Sequence, residues 1–105
     1  MNQEIEVRLR KISARLKKEY HAEKVILFGS HARGEATEES DIDLFVVAPT
    51  TERKFDRMAT VRGLIRDLRR GLPVSPIVFT PEEFTQRLKG GDPFIETIVE
   101  EGIVL

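Results

Sequence analysis

Apolar residues Ile5, Leu9, Ile12 and Leu16 recur at spacings of three and four. That period lays them on one stripe and predicts an amphipathic helix over residues 3–19. The pattern then changes. KVILF, residues 24–28, is short, apolar and rich in strand formers, and it stops at Gly29. A second such run, DIDLFVVA, spans residues 41–48 and is closed by Pro49. Side chains alternate along a strand, so Asp41, Asp43, Phe45 and Val47 share one face, and Ile42, Leu44 and Val46 the other. Met58, Val61, Leu64, Ile65 and Leu68 return to helical spacing and predict a second long helix. Gly71 stands as its C′ residue, with Pro73 just beyond. VSPIVF, residues 74–79, reads as a third strand. Its Pro76 has no N–H for the ladder, which predicts an edge position or a bulge.

A further helix starts at TPEEF. Thr80 is a good N-cap, Pro81 suits the first helical position, and Glu83 completes a capping box. Gly90-Gly91 breaks that helix. Asp92-Pro93 starts another, which reaches about Glu101 and is closed by Gly102, and IVL adds a last short strand. The order is helix, strand, short turn, strand, helix, strand, helix, helix. It predicts one α/β (α+β) domain over residues 1–105, with helices covering a small sheet.

A chain of 105 residues suffices for one small domain and not for two. Lys and Arg number 17 and Asp and Glu 18, a net charge of −1, so no global field favours nucleic acid or a membrane surface. The charge is nevertheless uneven. Residues 53–70 hold seven basic groups against Asp56 and Asp67, and residues 82–101 hold six acids against Arg87 and Lys89. These read as solvated helix faces, or as faces that meet a partner or a polyanion. The absence of cysteine excludes disulfides and thiolate metal sites and suits a reducing compartment. No apolar leader or membrane-length run is visible, so the expected place is the cytoplasm.

The candidate chemistry lies in GSHARGEATEESDIDLFVV, residues 29–47. Asp is depleted in strands, and a buried charge is costly unless something pairs with it, yet two carboxylates stand where this strand begins. Gly29 permits a tight turn, and the following amides with the Ser30 hydroxyl suit an anion at the start of a short helix. Gly34 ends that helix, and EATEES is the return loop. If the two strands are antiparallel, Asp41 and Asp43 lie close to Gly29-Ser30 on one face. Paired carboxylates beside a phosphate site suit Mg²⁺, which takes a few protein oxygens and completes its shell with water and substrate phosphates. Alone, a Gly-Ser turn and a D-x-D are each common surface features. As G-S-x10-D-x-D they arise by chance in about one chain in a thousand at average residue usage.

This stretch resembles the signature of the nucleotidyltransferases of the DNA polymerase beta superfamily, and the short chain resembles their minimal branch. The resemblance implies a small mixed sheet flanked by helices, bound Mg²⁺ and NTP, and transfer of a nucleoside monophosphate with release of pyrophosphate. It implies that Gly29 and Ser30 hold the triphosphate and that Asp41 and Asp43 are the catalytic metal ligands. Arg33 falls where the short helix often carries a phosphate-contacting base, whereas His31 reads as a surface residue. Active members carry a third carboxylate on a later strand. The Thr80-Pro81-Glu82-Glu83 anchor sets its place at Ser75, followed by Pro76, and residues 72–81 contain no Asp or Glu. Serine is a poor Mg²⁺ ligand and no base at neutral pH. Glu35, Glu38 or Glu39 would have to compensate. The resemblance therefore implies either an enzyme that transfers NMP, with AMP from ATP the leading case, to a hydroxyl of a macromolecule, or a degenerate nucleotide-binding antitoxin or binding module. It also implies a HEPN-type toxin as partner, and the apolar tail with Phe94, Ile95, Ile98, Val99 and residues 103–105 suits such a contact or a homodimer.

Overall fold

The computed structural model describes residues 2–105. The elements run α1 (Gln3–Glu19), β1 (Lys24–Phe28), α2 (Ser30–Arg33), β2 (Ile42–Val47), α3 (Lys54–Leu64), β3 (Val74–Phe79), α4 (Pro81–Lys89), α5 (Pro93–Glu101) and β4 (Ile103–Val104). The sheet order is β3-β2-β1-β4. β1 pairs antiparallel with both β2 and β4, while β2 and β3 are parallel. This is the expected small mixed sheet flanked by helices. β3 lies at an edge, where Pro76 costs no ladder bond that a central strand would need. No helix among the described residues is long and apolar enough to cross a membrane.

The period-2 and period-3.6 patterns meet in two apolar layers. Ile42, Leu44 and Val46 of β2 join Val25 and Leu27 of β1 and Val74 and Val78 of β3 on one sheet face. Against them pack Leu9, Ile12 and Leu16 of α1 and Val61 of α3. On the other face Ile26, Phe45, Val47 and Phe79 meet Ile95 and Ile98 of α5, with Phe84 of α4 alongside. Phe45 stands with its ring centroid 5.2 Å from Phe79 and 5.8 Å from Phe84. Full burial of such side chains contributes about 1.5–3 kcal/mol each, so a small domain can rest on two thin layers. Helix ends follow the local rules. The Asn2 side chain accepts from Glu4 N at 2.7 Å, and Thr80 and Glu83 form the reciprocal capping box at 3.2 and 2.8 Å.

One expected element is shorter than its apolar spacing suggests. α3 ends at Leu64, with Ile65 as its C-cap, and turns carry the chain from there to Gly71. Leu68 still packs on the core, but from a turn. Cations on α1 take the carbonyls here. Arg15 donates to Leu64 O at 2.9 Å, and Arg8 donates to Leu68 O at 2.9 and 3.2 Å and to Arg70 O. These side chains satisfy groups that a helix end leaves free, so the backbone can leave the helix early. Gly71, at φ 72°, closes that turn and not the helix. The second strand likewise begins one residue late, at Ile42, which leaves Asp41 in the approach.

A buried cation fastens the two helical layers past the β3 edge. Arg57 of α3 is 7% exposed. It donates to both oxygens of Glu83 on α4 at 2.7 and 3.3 Å, to Val78 O at 3.3 Å and to Glu52 O at 2.9 Å. The Arg57 guanidinium, helped by the Thr80 N–H, holds the Glu83 carboxyl below the usual range against the opposing effect of burial. A carboxylate whose pKa is depressed by folding stabilises above its unfolded pKa, and that stability is lost as pH falls through the folded value. Arg57→Ala is expected to cost about 1–3 kcal/mol, less than the about 3–5 of a fully buried pair because Glu83 is partly solvated. Urea denaturation checks this. The gap between wild type and Glu83→Gln should shrink as pH drops below the normal glutamate range.

Candidate active site

Strand pairing alone brings the signature residues together. Phe28 at the end of β1 pairs with Asp43, and Asp43 pairs with Ser75 at the start of β3. Asp43 therefore stands between the Gly29 turn on one side and Ser75 on the other. Paired residues on neighbouring strands share a face, so Ser75 lies on the face of Asp43, as the register predicts. Asp43 and Ser75 are half-buried and Asp41 is exposed. Ile42 N donates to Pro73 O at 2.8 Å, which ties the approach of β2 to the entry of β3.

Gly29 has a role that the sequence does not disclose. Its φ is 77° and its ψ −155°, a region open in practice to glycine alone. A β-carbon built there would collide with Asp43 Oδ2. The missing side chain thus makes room for a carboxylate of the same site, besides freeing the backbone. The Gly29 carbonyl accepts from Ala32 N and Arg33 N, both at 3.1 Å, which turns the chain at once into α2. Ser30 is its first residue and Gly34, at φ 73°, ends it as expected. The short α2 stands beside both β1 and β2.

The electrostatics match this placement. Burial pushes the Asp43 carboxyl above the ordinary range and the charge of Asp41 adds to that, while His31 and Arg33 pull the other way. His31 is half-buried and not a plain surface residue, with Nε2 3.4 Å from Ser40 O across the return loop. No signal in the sequence shows this, because the loop fold decides it. Arg33 is exposed and bound to Glu35, Nε to Oε2 at 3.1 Å. It also lines a cleft of about 240 Å³ with Phe28, Gly29, Phe94 and Glu101. Glu35 is therefore already engaged by a cation. Among the described residues no group of three or more His, Asp or Glu is placed to hold a metal ion.

Two carboxylates fit Mg²⁺ only in part. Mg²⁺ is commonly held by one or two carboxylates together with substrate phosphates and water; Asp43 stands beside the Gly29 turn, and Asp41 is near enough to act on its charge. A divalent cation would also offset the repulsion between the two acids. A cation that depended on a third protein carboxylate has none at position 75.

Comparison with known proteins agrees with this geometry. Residues 9–105 match the family described as Nucleotidyltransferase domain. Three proteins of Methanocaldococcus jannaschii, each named "Putative protein adenylyltransferase", are similar to the chain. One is 40% identical over 74 residues, a match that takes in 68% of this chain and only 49% of the relative. Another is 37% identical over 92 residues, 86% of each chain. The third is 33% identical over 101 residues, 96% of this chain and 93% of the relative. The crystal structure of a "putative nucleotidyltransferase" from Sulfolobus solfataricus superposes with a TM-score of 0.55 at 27% identity, covering 99% of this chain and 86% of that one. The chain belongs to the nucleotidyltransferase domain family.

The Gly29–Asp43 contact is testable without any ligand. Gly29→Ala should cost about 1–3 kcal/mol, from backbone strain and from displacement of the carboxylate. In an Asp43→Ala background the collision is gone and the strain remains, so the same change should cost less. Chemical denaturation of the four proteins of this cycle should give a coupling of about 0.5–3 kcal/mol. Additive costs would show that the two residues do not meet.

Proposed function

We propose that this nucleotidyltransferase domain binds Mg-NTP at the end of its sheet and transfers NMP, as AMP from ATP, to a hydroxyl on a protein. The packing of the Gly29 turn directly on the Asp43 carboxylate carries this reading, because it joins an anion-binding turn to a cation-binding pair. The names of the relatives favour a protein acceptor and AMP. Gly29 and Ser30 would hold the triphosphate, Arg33 would reach a phosphate after releasing Glu35, and Asp41 and Asp43 would hold Mg²⁺. The cation supplies neutralisation of phosphate charge. In the transfer the acceptor oxygen bonds to the α-phosphorus, the bond to the bridging oxygen breaks, and pyrophosphate leaves. The acceptor proton has no carboxylate to receive it at Ser75 and passes to water, so transfer is slow relative to binding.

Ser75 also supports a second reading, in which the domain binds nucleotide and a partner and does no chemistry. The partner in either reading is a HEPN-type protein or a second copy. Phe94, Val99 and Val104 are 44, 48 and 70% exposed and leave apolar surface on the C-terminal elements for such a contact.

Calorimetry and label transfer from α-labelled ATP separate the readings. Mg-ATP affinity should be lost in both Asp41→Ala and Asp43→Ala; equal affinity in all three proteins would remove the site. Ser75→Asp should leave affinity within a few fold and raise transfer by about 100-fold, the low end of what a positioned base contributes. Transfer absent from both proteins, with affinity intact, favours the binding module. Brisk wild-type transfer that Ser75→Asp does not improve would assign the proton to another residue.

A further inference from the structure

The net charge of −1 conceals two opposed halves. Residues 3–19 and 53–70, which make up α1, α3 and the turns after it, hold thirteen of the 17 Lys and Arg but only five of the 18 Asp and Glu. Their formal charge is +8, and the remainder of the chain carries −9. A cavity of about 730 Å³ lies between α1 and α3. Its apolar part is Ala14, Leu64 and Leu68, and Gly63 adds no side chain to fill it. Lys11 and Lys18 stand on its α1 side, and neither has a carboxylate partner among the described residues.

We infer that this groove docks α5 of a second copy of the chain, in a head-to-tail contact. Three features select that occupant. First, Glu96, Val99 and Glu100 are exposed on α5, and Glu96 lies about one turn from each of the other two, so two acids and an apolar residue share one patch. Second, Lys11 and Lys18 are two turns apart, about 10.5 Å along the helix, and Glu96 and Glu100 about 6 Å, a mismatch that these long side chains bridge. Third, the groove disfavours a phosphate backbone. Its Arg15 is already engaged by Asp67 at 2.7 Å and Glu19 at 3.1 Å, and no aromatic ring lines it for base stacking. Groove and ridge are different surfaces of one molecule, so the contact is heterologous and propagates or closes into a ring. It does not depend on the nucleotide reading.

Sedimentation velocity tests this with the full chain. Self-association should be strong at about 0.01 M salt and fade toward 1 M, where the Debye length falls from about 30 to about 3 Å. Lys18→Glu and Glu100→Lys should each weaken it by about tenfold or more, since each sets like charges against one another. Both sites are exposed, and circular dichroism checks that the variants fold. Mixing the two variants should restore association, because the unaltered surfaces meet between the Glu100→Lys groove and the Lys18→Glu ridge, and the two reversed surfaces again set opposite charges together. A monomer at all salts overturns the inference. So does an association that neither variant changes, one that mixing does not restore, or a groove that binds single-stranded RNA in place of a second copy.

Discussion

The site depends on one constraint: the antiparallel pairing that sets Phe28 opposite Asp43. Once that register holds, Gly29 must stand against the Asp43 carboxylate, and only a residue without a side chain fits there. The parallel pairing of β2 with β3 then sets Ser75 on the other side of the same acid. A slip of one residue would turn Asp43 into the layer under α1 and α3, where Ile42 and Leu44 now pack, and would expose those residues in exchange. The apolar alternation of β2 therefore protects the site geometry as well as the core. Burying Ile42, Leu44 and Val46 on one face is what keeps Asp43 on the other.

Much of this was legible before the fold was known. Strands and caps follow from local chemistry, as with Thr80, Pro81 and Glu83, and the alternation in residues 41–48 already separates the acids from the core. The placement of Ser75 came from the family resemblance, with TPEEF as its anchor, and the pairing of Asp43 with Ser75 agrees with it. What was not legible depends on contacts distant in sequence. The early end of α3 comes from Arg8 and Arg15, about fifty to sixty residues away on α1. The half-burial of His31 comes from the path of the return loop, and the Arg57–Glu83 pair joins helices that no local pattern connects. The signature shows Gly29 as a flexible turn residue; its second role, making room for Asp43, needs the sheet.

The same comparison bears on chemistry. An acid pair without a third carboxylate is a site better suited to binding than to activating a nucleophile, since the missing group would act on the attacking hydroxyl and not on the ground-state phosphates. In the proposed function the Gly29 turn and both acids would serve a triphosphate, and Ser75 would leave the chemistry slow. Gly29 follows β1, Asp43 lies on β2 with Asp41 just before it, and Ser75 lies on β3, so no single segment holds the proposed site. The sheet does, at one end.

The most direct measurement is paramagnetic broadening with Mn²⁺ in place of Mg²⁺. In the presence of ATP, Mn²⁺ should broaden the backbone amide signals of Gly29, Ser30, Asp43 and Ser75 together, and it should do so much less without ATP, because two carboxylates alone hold the ion weakly. Broadening centred elsewhere, or none at these four amides when ATP is present, would contradict a shared metal and triphosphate site at the end of this sheet.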